Sequence, residues 1–222
     1  MKKNIFLTLI LLSFISVGTL MAQRPGSAFK GTINYKITTP DAKTDDQQTG
    51  TPQTMKVLLN GNKARIELMM GTISQIVLLD ADAQTTMLLL DLMGQKVAMK
   101  PKGTAGRPAG KEPIVETKPE TKEIAGFVCK KAEIHYGDER SKENPIIVYY
   151  TEDIGNNKIF YDNEYRTLPG IPLEFNYKMQ GMNMYMIATS VEKGKVSNKD
   201  FEVPSDYKET TPEELRQMFG GN

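Results

Sequence analysis

Four methionines near the end of the chain form the clearest pattern of side chains that could bind a ligand. The pattern is Met-x-x-Met-x-Met-x-Met, made by Met179, Met182, Met184 and Met186. The last three alternate at period two, so they share one face of a predicted strand. Soft thioether sulfur selects Cu(I), which makes the four a candidate copper site. Methionine also commonly lines irregular apolar cavities, and no His or Cys is nearby in sequence. Cavity lining or core packing is therefore favoured, and no cofactor is predicted.

An acidic segment has part of the spacing of a calcium-binding loop. Asp80, Asp82 and Gln84 alternate, and Asp91 is the twelfth residue counted from Asp80. The sixth position of such a loop requires glycine, whereas this chain has Thr85 there. Strand-like segments flank Asp80-Ala81-Asp82 on both sides, so a hairpin turn is predicted instead.

The single cysteine, Cys129, and the single histidine, His135, lie six residues apart in a predicted strand, too far for a nucleophile and its base. The apolar alternation slips at Lys130-Lys131, which predicts a bulge and a buried, unreactive thiol. Motifs for a nucleophile elbow, a phosphate loop, a dinucleotide site or a His/Glu metal site are absent. Catalysis would depend on carboxylates or tyrosines alone, so a non-enzymatic protein is predicted.

Residues 1–22 have the composition of an export signal. Lys2-Lys3 precede the apolar run from Ile5 to Val17, and Leu20-Met21-Ala22 ends in a small residue suited to cleavage. The run is shorter than the ~20 residues of a membrane span, and no cysteine follows the cleavage point to accept a lipid anchor. The prediction is an exported protein that begins at Gln23, is soluble, and is periplasmic or extracellular. An uncleaved N-terminal anchor is the alternative.

The charge balance narrows the class of partner. The 222 residues have a formal net charge of +1, and residues 1–22 contain two lysines and no acidic residue, so the remainder is slightly negative. A nearly neutral chain is not a generic polyanion binder, and nucleic acid is not predicted as a partner. With 39% hydrophobic and 25% charged residues, the chain has the composition of a globular domain with a core.

Alternation of apolar and polar residues predicts a mainly β domain over residues 23–210. The predicted strands are 29–38, 55–59, 64–70, 76–79, 86–90, 96–100, 127–136, 146–151, 173–179 and 182–191. Asn60-Gly61-Asn62 predicts a tight hairpin, 39–53 a loop, and Gln180-Gly181 a turn, so the first half is expected to form an antiparallel meander. The strands at 76–79 and 86–90 are apolar on both faces, and each face needs a cover.

Two further segments depart from the strand pattern. Four prolines and three glycines within residues 101–120 predict an exposed, mobile connection, which could cover one face of the sheet. Residues 211–222 are predicted to form a C-terminal helix and tail, because Thr211 can cap the helix and Pro212 suits its first turn. A second short helix is expected within 153–162.

Several segments resemble motifs of exported bacterial proteins. They are Thr121-Lys122-Glu123-Ile124-Ala125-Gly126-Phe127-Val128-Cys129-Lys130-Lys131-Ala132, Leu168-Pro169-Gly170-Ile171-Pro172-Leu173, Phe201-Glu202-Val203-Pro204-Ser205-Asp206-Tyr207 and the opening Gly31-Thr32-Ile33-Asn34-Tyr35. Together they resemble secreted domains of unknown function with the LolA-like (lipoprotein-carrier) fold, related to the GLPGLI family, although Thr167 replaces the first glycine of that hexapeptide. The resemblance implies a curved antiparallel half-barrel with helices over its concave face, where carrier relatives hold acyl chains. It implies no catalytic residue.

These observations favour a protein that binds an acyl chain or a lipidated peptide in a half-barrel groove. Its partner would be a lipid or lipoprotein, with association at the envelope membrane, and the oligomeric state stays open. The residues expected to line the groove are Ile33, Tyr35, Ile37, Val57, Leu59, Ile66, Leu68, Phe175, Met182, Met184 and Met186. A structural or adaptor domain with a fully packed core is the alternative, and Cu(I) binding by the methionines is the third hypothesis.

Overall fold

A computed structural model of the chain describes most of the segment after the predicted export signal. The described residues are 29–38, 54–70, 73–101, 111–155, 157–161, 163–179, 182–194 and 196–218. The export signal at 1–22, the loop at 39–53 and the turn Gln180-Gly181 lie outside them. None of the described helices is long and apolar enough to cross a membrane.

Twelve strands form one open sheet. They are β1 (Lys30–Thr38), β2 (Thr54–Asn60), β3 (Lys63–Met70), β4 (Ile73–Asp80), β5 (Thr85–Leu92), β6 (Gln95–Met99), β7 (Ile114–Ile124), β8 (Phe127–His135), β9 (Ile146–Thr151), β10 (Ile171–Met179), β11 (Met182–Lys193) and β12 (Lys208–Glu209). Their order across the sheet is β12-β6-β5-β4-β3-β2-β1-β11-β10-β9-β8-β7. Every pairing is antiparallel except that of β12 with β6. The predicted fold class, a mainly β antiparallel half-barrel with few helices and a short C-terminal helix, is confirmed as a mainly β sheet that is open and not closed.

The sheet consists of two meanders, β1 to β6 and β7 to β11, which meet where β1 pairs with β11. Gly31 permits this close approach, because a Cβ atom there would collide with the carbonyl oxygen of Glu192 on β11. The first meander matches the sequence-based prediction, including the hairpin in which Asn60 pairs with Lys63. In the second meander, the motif Thr121–Ala132 is a hairpin whose turn, Ala125-Gly126, has positive φ at both residues.

The predicted connection over 101–120 is wrong in its second half, because residues 114–120 belong to β7. This strand carries Pro119 and lies at one edge of the sheet, where the missing N–H of proline breaks no inner ladder. Its pairing with β8 shifts between Thr117 and Thr121, so three β7 residues lie opposite Lys131. The irregularity predicted at Lys130-Lys131 is therefore caused by extra residues in β7, since β8 pairs with β9 without interruption.

Both faces of β4 and β5 are covered, as their apolar sequences require. The inner face, which carries Val77 and Leu88, lies under the connection between β9 and β10, whose described residues 154–155, 157–161 and 163–170 are here called the covering segment. The outer face has a separate small core of Ile76, Leu78, Leu89 and Ala98, against which Val203 and Tyr207 pack. The cover suggested for residues 101–120 is thus provided on the outer face by the chain near the C-terminus.

Helical structure is sparse in the described residues. The predicted C-terminal helix is α2 (Pro212–Met218), and Thr211 caps it. Thr211 Oγ1 accepts a hydrogen bond from the N–H of Glu214, and the Glu214 carboxylate accepts one from the N–H of Thr211. The helix expected within 153–162 is a 3-10 turn at Asn157–Phe160 in the covering segment. Two further elements were not predicted from the sequence, α1 (Glu139–Glu143) and a second 3-10 turn at Asn198–Phe201.

Candidate ligand cavity

A cavity of about 280 Å³ lies between the inner face of β1 to β5 and the covering segment. Its floor comes from the strands, and its roof from the covering segment and the start of β10. The lining residues are Ile33, Tyr35, Met55, Val57, Leu59, Ile66, Leu68, Gln75, Val77, Leu79, Thr86, Leu88, Pro101, Ile159, Phe160, Asn163, Tyr165, Ile171, Pro172, Phe175 and Met186. None of these described residues is charged, so they give the cavity a largely apolar surface.

The floor is ordered by strand register into three rows that run across the strands. One row is Tyr35, Met55, Leu68 and Gln75; the next is Ile33, Val57, Ile66, Val77 and Leu88; the third contains Leu59, Leu79 and Thr86. Five strands at ~4.8 Å spacing span ~19 Å, whereas three rows two residues apart span ~13 Å. The floor is therefore longer across the strands than along them.

Four aromatic rings connect the floor to the roof. Tyr35 on β1 packs edge-to-face on Phe175 of β10, with ring centroids 5.8 Å apart. Phe175 contacts Tyr165 at 5.5 Å, and Tyr165 contacts Phe160 at 5.9 Å, both also edge-to-face. Such pairs add stability beyond their buried area, so they fix the covering segment over β10.

The polar side chains of the lining are mostly bonded within the protein. Tyr35 OH donates to the carbonyl of Pro172 at 2.9 Å, and Tyr165 OH donates to that of Asn176 at 2.6 Å. Burial raises the pKa of Tyr35 far above its ordinary value, so this phenol stays neutral. Thr86 Oγ1 and Tyr161 OH are 2.8 Å apart, and Asn163 Oδ1 accepts the N–H of Tyr165 at 2.9 Å. These bonds hold the walls together.

The structure brings eight of the eleven predicted lining residues around this one cavity. They are Ile33, Tyr35, Val57, Leu59, Ile66, Leu68, Phe175 and Met186. Ile37 and Met184 are buried in the adjoining core but do not line the cavity, and the side chain of Met182 lies outside the described part. The prediction that Ile37 and Met184 line the groove is therefore wrong for this cavity.

Several lining residues were missed. Val77, Leu79 and Leu88 lie in strands that are apolar on both faces, so the sequence did not show which face they belong to. Ile159, Phe160 and Tyr165 lie in turns of the covering segment. The available signal was a segment between two predicted strands that contains an isoleucine and two aromatic residues. Its sequence did not show which strands it packs against.

The other candidate sites are placed as follows. Met184 and Met186 are both buried, whereas the side chains of Met179 and Met182 lie outside the described part, so the copper hypothesis stays a prediction. Asp80 accepts the N–H groups of Asp82 and Ala83 in the predicted hairpin turn, and Asp91 instead accepts the N–H of Gly94 in the next turn. Within the described ranges, no three His, Cys, Asp or Glu residues form a group that could hold a metal ion.

Cys129 and His135 have separate environments. Cys129 is fully buried, and its pKa is raised to about 11 by burial and then by the nearby carboxylates of Glu174 and Asp153. His135 Nδ1 accepts the N–H of Gly137 at 3.1 Å, which leaves Nε2 to donate to Glu116 at 3.2 Å. The histidine is thus oriented by Glu116 and the backbone.

The fold and this cavity define a mainly β protein with one open sheet that carries an apolar chamber on its inner face. No protein-family model and no curated protein sequence matches the chain. A solved structure of PNGF-II is similar, with a TM-score of 0.51 and 16% sequence identity over 86% of this chain and 32% of the PNGF-II chain. The chain thus spans about a third of that protein, and the likeness concerns the fold alone. The predicted relation to LolA-like and GLPGLI proteins stays a prediction.

Proposed function

We propose that the chain is an exported, non-enzymatic protein that holds an acyl chain or a lipidated peptide in the cavity beneath the covering segment. The observation that carries this proposal is the lining: in the described part of the chain, 21 residues surround about 280 Å³, and none of these carries a charge. Ligand sites in proteins are of this kind, largely apolar with a few placed polar groups, and begin at ~300 Å³. The volume suits one chain better than a whole lipid.

The unfavourable free energy of an unfilled apolar chamber supports the proposal that a ligand occupies it. Protein interiors contain few voids larger than a water molecule. An apolar chamber of this size, partly open to solvent, deprives its lining of packing contacts and leaves apolar surface exposed to water, and both effects are unfavourable. Filling it with apolar atoms removes that cost and buries the ligand. An exported protein with such a cavity would meet acyl chains at the envelope membrane.

The test uses a substitution that fills the cavity. Val77 lies in the middle row of the floor, and Val77→Phe should occupy part of the volume. We expect this variant to fold and to lose at least tenfold in affinity for Nile red, an uncharged fluorescent dye. The matched control is Val128→Phe, which adds the same ring at a site that is 65% exposed on β8 and should leave binding unchanged.

A second measurement looks for the natural ligand. Native mass spectrometry of protein purified gently from its own cell envelope should show an added mass that extraction with organic solvent removes and identifies as acyl-containing. Protein of bare mass, together with no binding of Nile red to the wild type, would reject ligand binding and favour the structural or adaptor hypothesis.

A further inference from the structure

Gln75 places a polar side chain on the cavity floor, and this side chain makes no hydrogen bond within the described part of the protein. In register it lies between Leu68 on β3 and Leu90 on β5, in a row that is otherwise apolar apart from the bonded hydroxyl of Tyr35. Its carboxamide is half-buried, and in the described part of the chain it is the one lining group with no hydrogen-bond partner at either atom. Leucine would fit this strand position and its neighbours.

The other polar lining groups are engaged in holding the walls. The hydroxyls of Tyr35, Thr86 and Tyr165 are all hydrogen-bonded within the protein, and Asn163 uses its oxygen. A ligand that hydrogen-bonds to those hydroxyls must compete with bonds already made. Gln75 can donate and accept without breaking any of them.

The lining also limits the charge of the ligand. An ionised carboxylate inside it would face no Lys, Arg or His side chain among the described residues, since none of these contributes to the lining. Burial of an unpaired charge is far costlier than burial of a neutral amide or hydroxyl that finds a partner. The chamber therefore disfavours free fatty acids at neutral pH.

We propose that the cavity selects an uncharged amphiphile whose amide or hydroxyl group binds the carboxamide of Gln75. This inference rests on the proposed function and specifies its ligand class. An amide-linked acyl chain belongs to that class, and an ionised fatty acid does not. Gln75 is then the residue that determines specificity, while the apolar rows supply affinity.

The test compares three ligands of equal chain length, decanamide, decanol and decanoate, by displacement of Nile red at pH 8. Wild type should bind decanamide and decanol at least about tenfold more tightly than decanoate. Gln75→Leu should weaken decanamide binding about five- to tenfold more than it changes Nile red binding, as expected for one lost hydrogen bond. Gln75→Glu, a nearly isosteric change, should weaken binding of all three. Thermal unfolding checks that the variants are folded.

The outcomes separate this inference from the proposed function. Equal affinity of wild type for decanamide and decanoate would overturn the inference while ligand binding by the cavity stands. An unchanged preference for decanamide in Gln75→Leu would remove Gln75 from the recognition. If Nile red and all three ligands fail to bind the wild type, both proposals are wrong.

Discussion

Thr86 Oγ1 and Tyr161 OH, 2.8 Å apart, join β5 to the covering segment across the inner face of the sheet. The covering segment leaves β9 and returns at β10, whereas five other strands lie between β5 and β10 in the sheet. The bond therefore connects the two meanders at the far wall of the cavity. It gives the roof a second attachment besides the aromatic contacts near β10.

A double-mutant cycle should detect this bond. Tyr161→Phe and Thr86→Val each remove one hydroxyl with little change of shape, and each should lower the free energy of unfolding by about 0.5–1.5 kcal/mol. The double variant should lose less than the sum of the two, because the second change has no bond left to remove. Urea denaturation measures all four proteins. Strictly additive losses would mean that the two hydroxyls do not interact.

Neighbouring leucines on β5 should respond in opposite ways to truncation. Leu89 is fully buried in the outer core, so Leu89→Ala should cost about 2.7–5 kcal/mol and leave Nile red affinity unchanged in the folded protein. Leu88 lines the cavity and already borders open space, so Leu88→Ala should cost less stability and weaken Nile red binding. Unfolding and dye titration on both variants provide the comparison. Equal loss of dye binding would show that the dye binds elsewhere.

Met184 distinguishes a packed residue from a cavity wall. It is 1% exposed and does not line the cavity, so Met184→Glu should bury an unpaired charge and cost several kcal/mol, which is enough to unfold many domains. Met184→Leu should cost under about 1.5 kcal/mol because volume is nearly conserved.

The leucine variant also tests the copper hypothesis, since it removes one thioether. Titration with Cu(I) and a competing chromophoric chelator should give the same weak response in wild type and Met184→Leu. A wild-type affinity that falls at least tenfold in the variant would instead support a methionine copper site.

The thiol of Cys129 should be inert in the folded protein. With a pKa of about 11, only about one molecule in a thousand carries the thiolate at pH 8, and the side chain is fully buried. Ellman's reagent should therefore react slowly with native protein and at the rate of a free thiol in denaturant, with Cys129→Ala as the blank. Fast labelling of the native state would show that this part of the sheet opens readily.

Asp138 should contribute to stability in a pH-dependent way. It accepts hydrogen bonds from Lys111 and from the N–H of Ser141, and these lower its pKa from 3.8 to about 2. Because the folded pKa lies below the unfolded one, the contribution is complete above pH 3.8 and is lost as the pH falls through about 2. The difference in melting temperature between wild type and Asp138→Asn should be largest near neutral pH and shrink towards pH 2. A difference that does not change with pH would point to helix capping without a charge effect.

Several elements could be located from residue patterns that extend over only a few neighbouring positions. Alternation placed Ile33, Val57 and Ile66 on one face because successive side chains of a strand point to opposite sides. Asn60-Gly61-Asn62 located a tight turn, and Thr211 with Pro212 located the helix start, since each depends on hydrogen bonds or dihedral angles within a few residues. These signals were sufficient to predict the first meander and half of the cavity floor.

How these elements pair and which faces are covered depend on contacts between residues far apart in the chain. The pairing of β1 with β11 joins residues more than 140 positions apart, and no local pattern specifies it. Leu88 and Leu89 are equally apolar, so alternation cannot assign one to the cavity and the other to the outer core. The prolines of 101–120 predicted no strand, yet an edge position tolerates Pro119 because the neighbour that would need its N–H is absent there. The roof of the cavity depends on contacts of the same kind, since the covering segment contacts strands of both meanders.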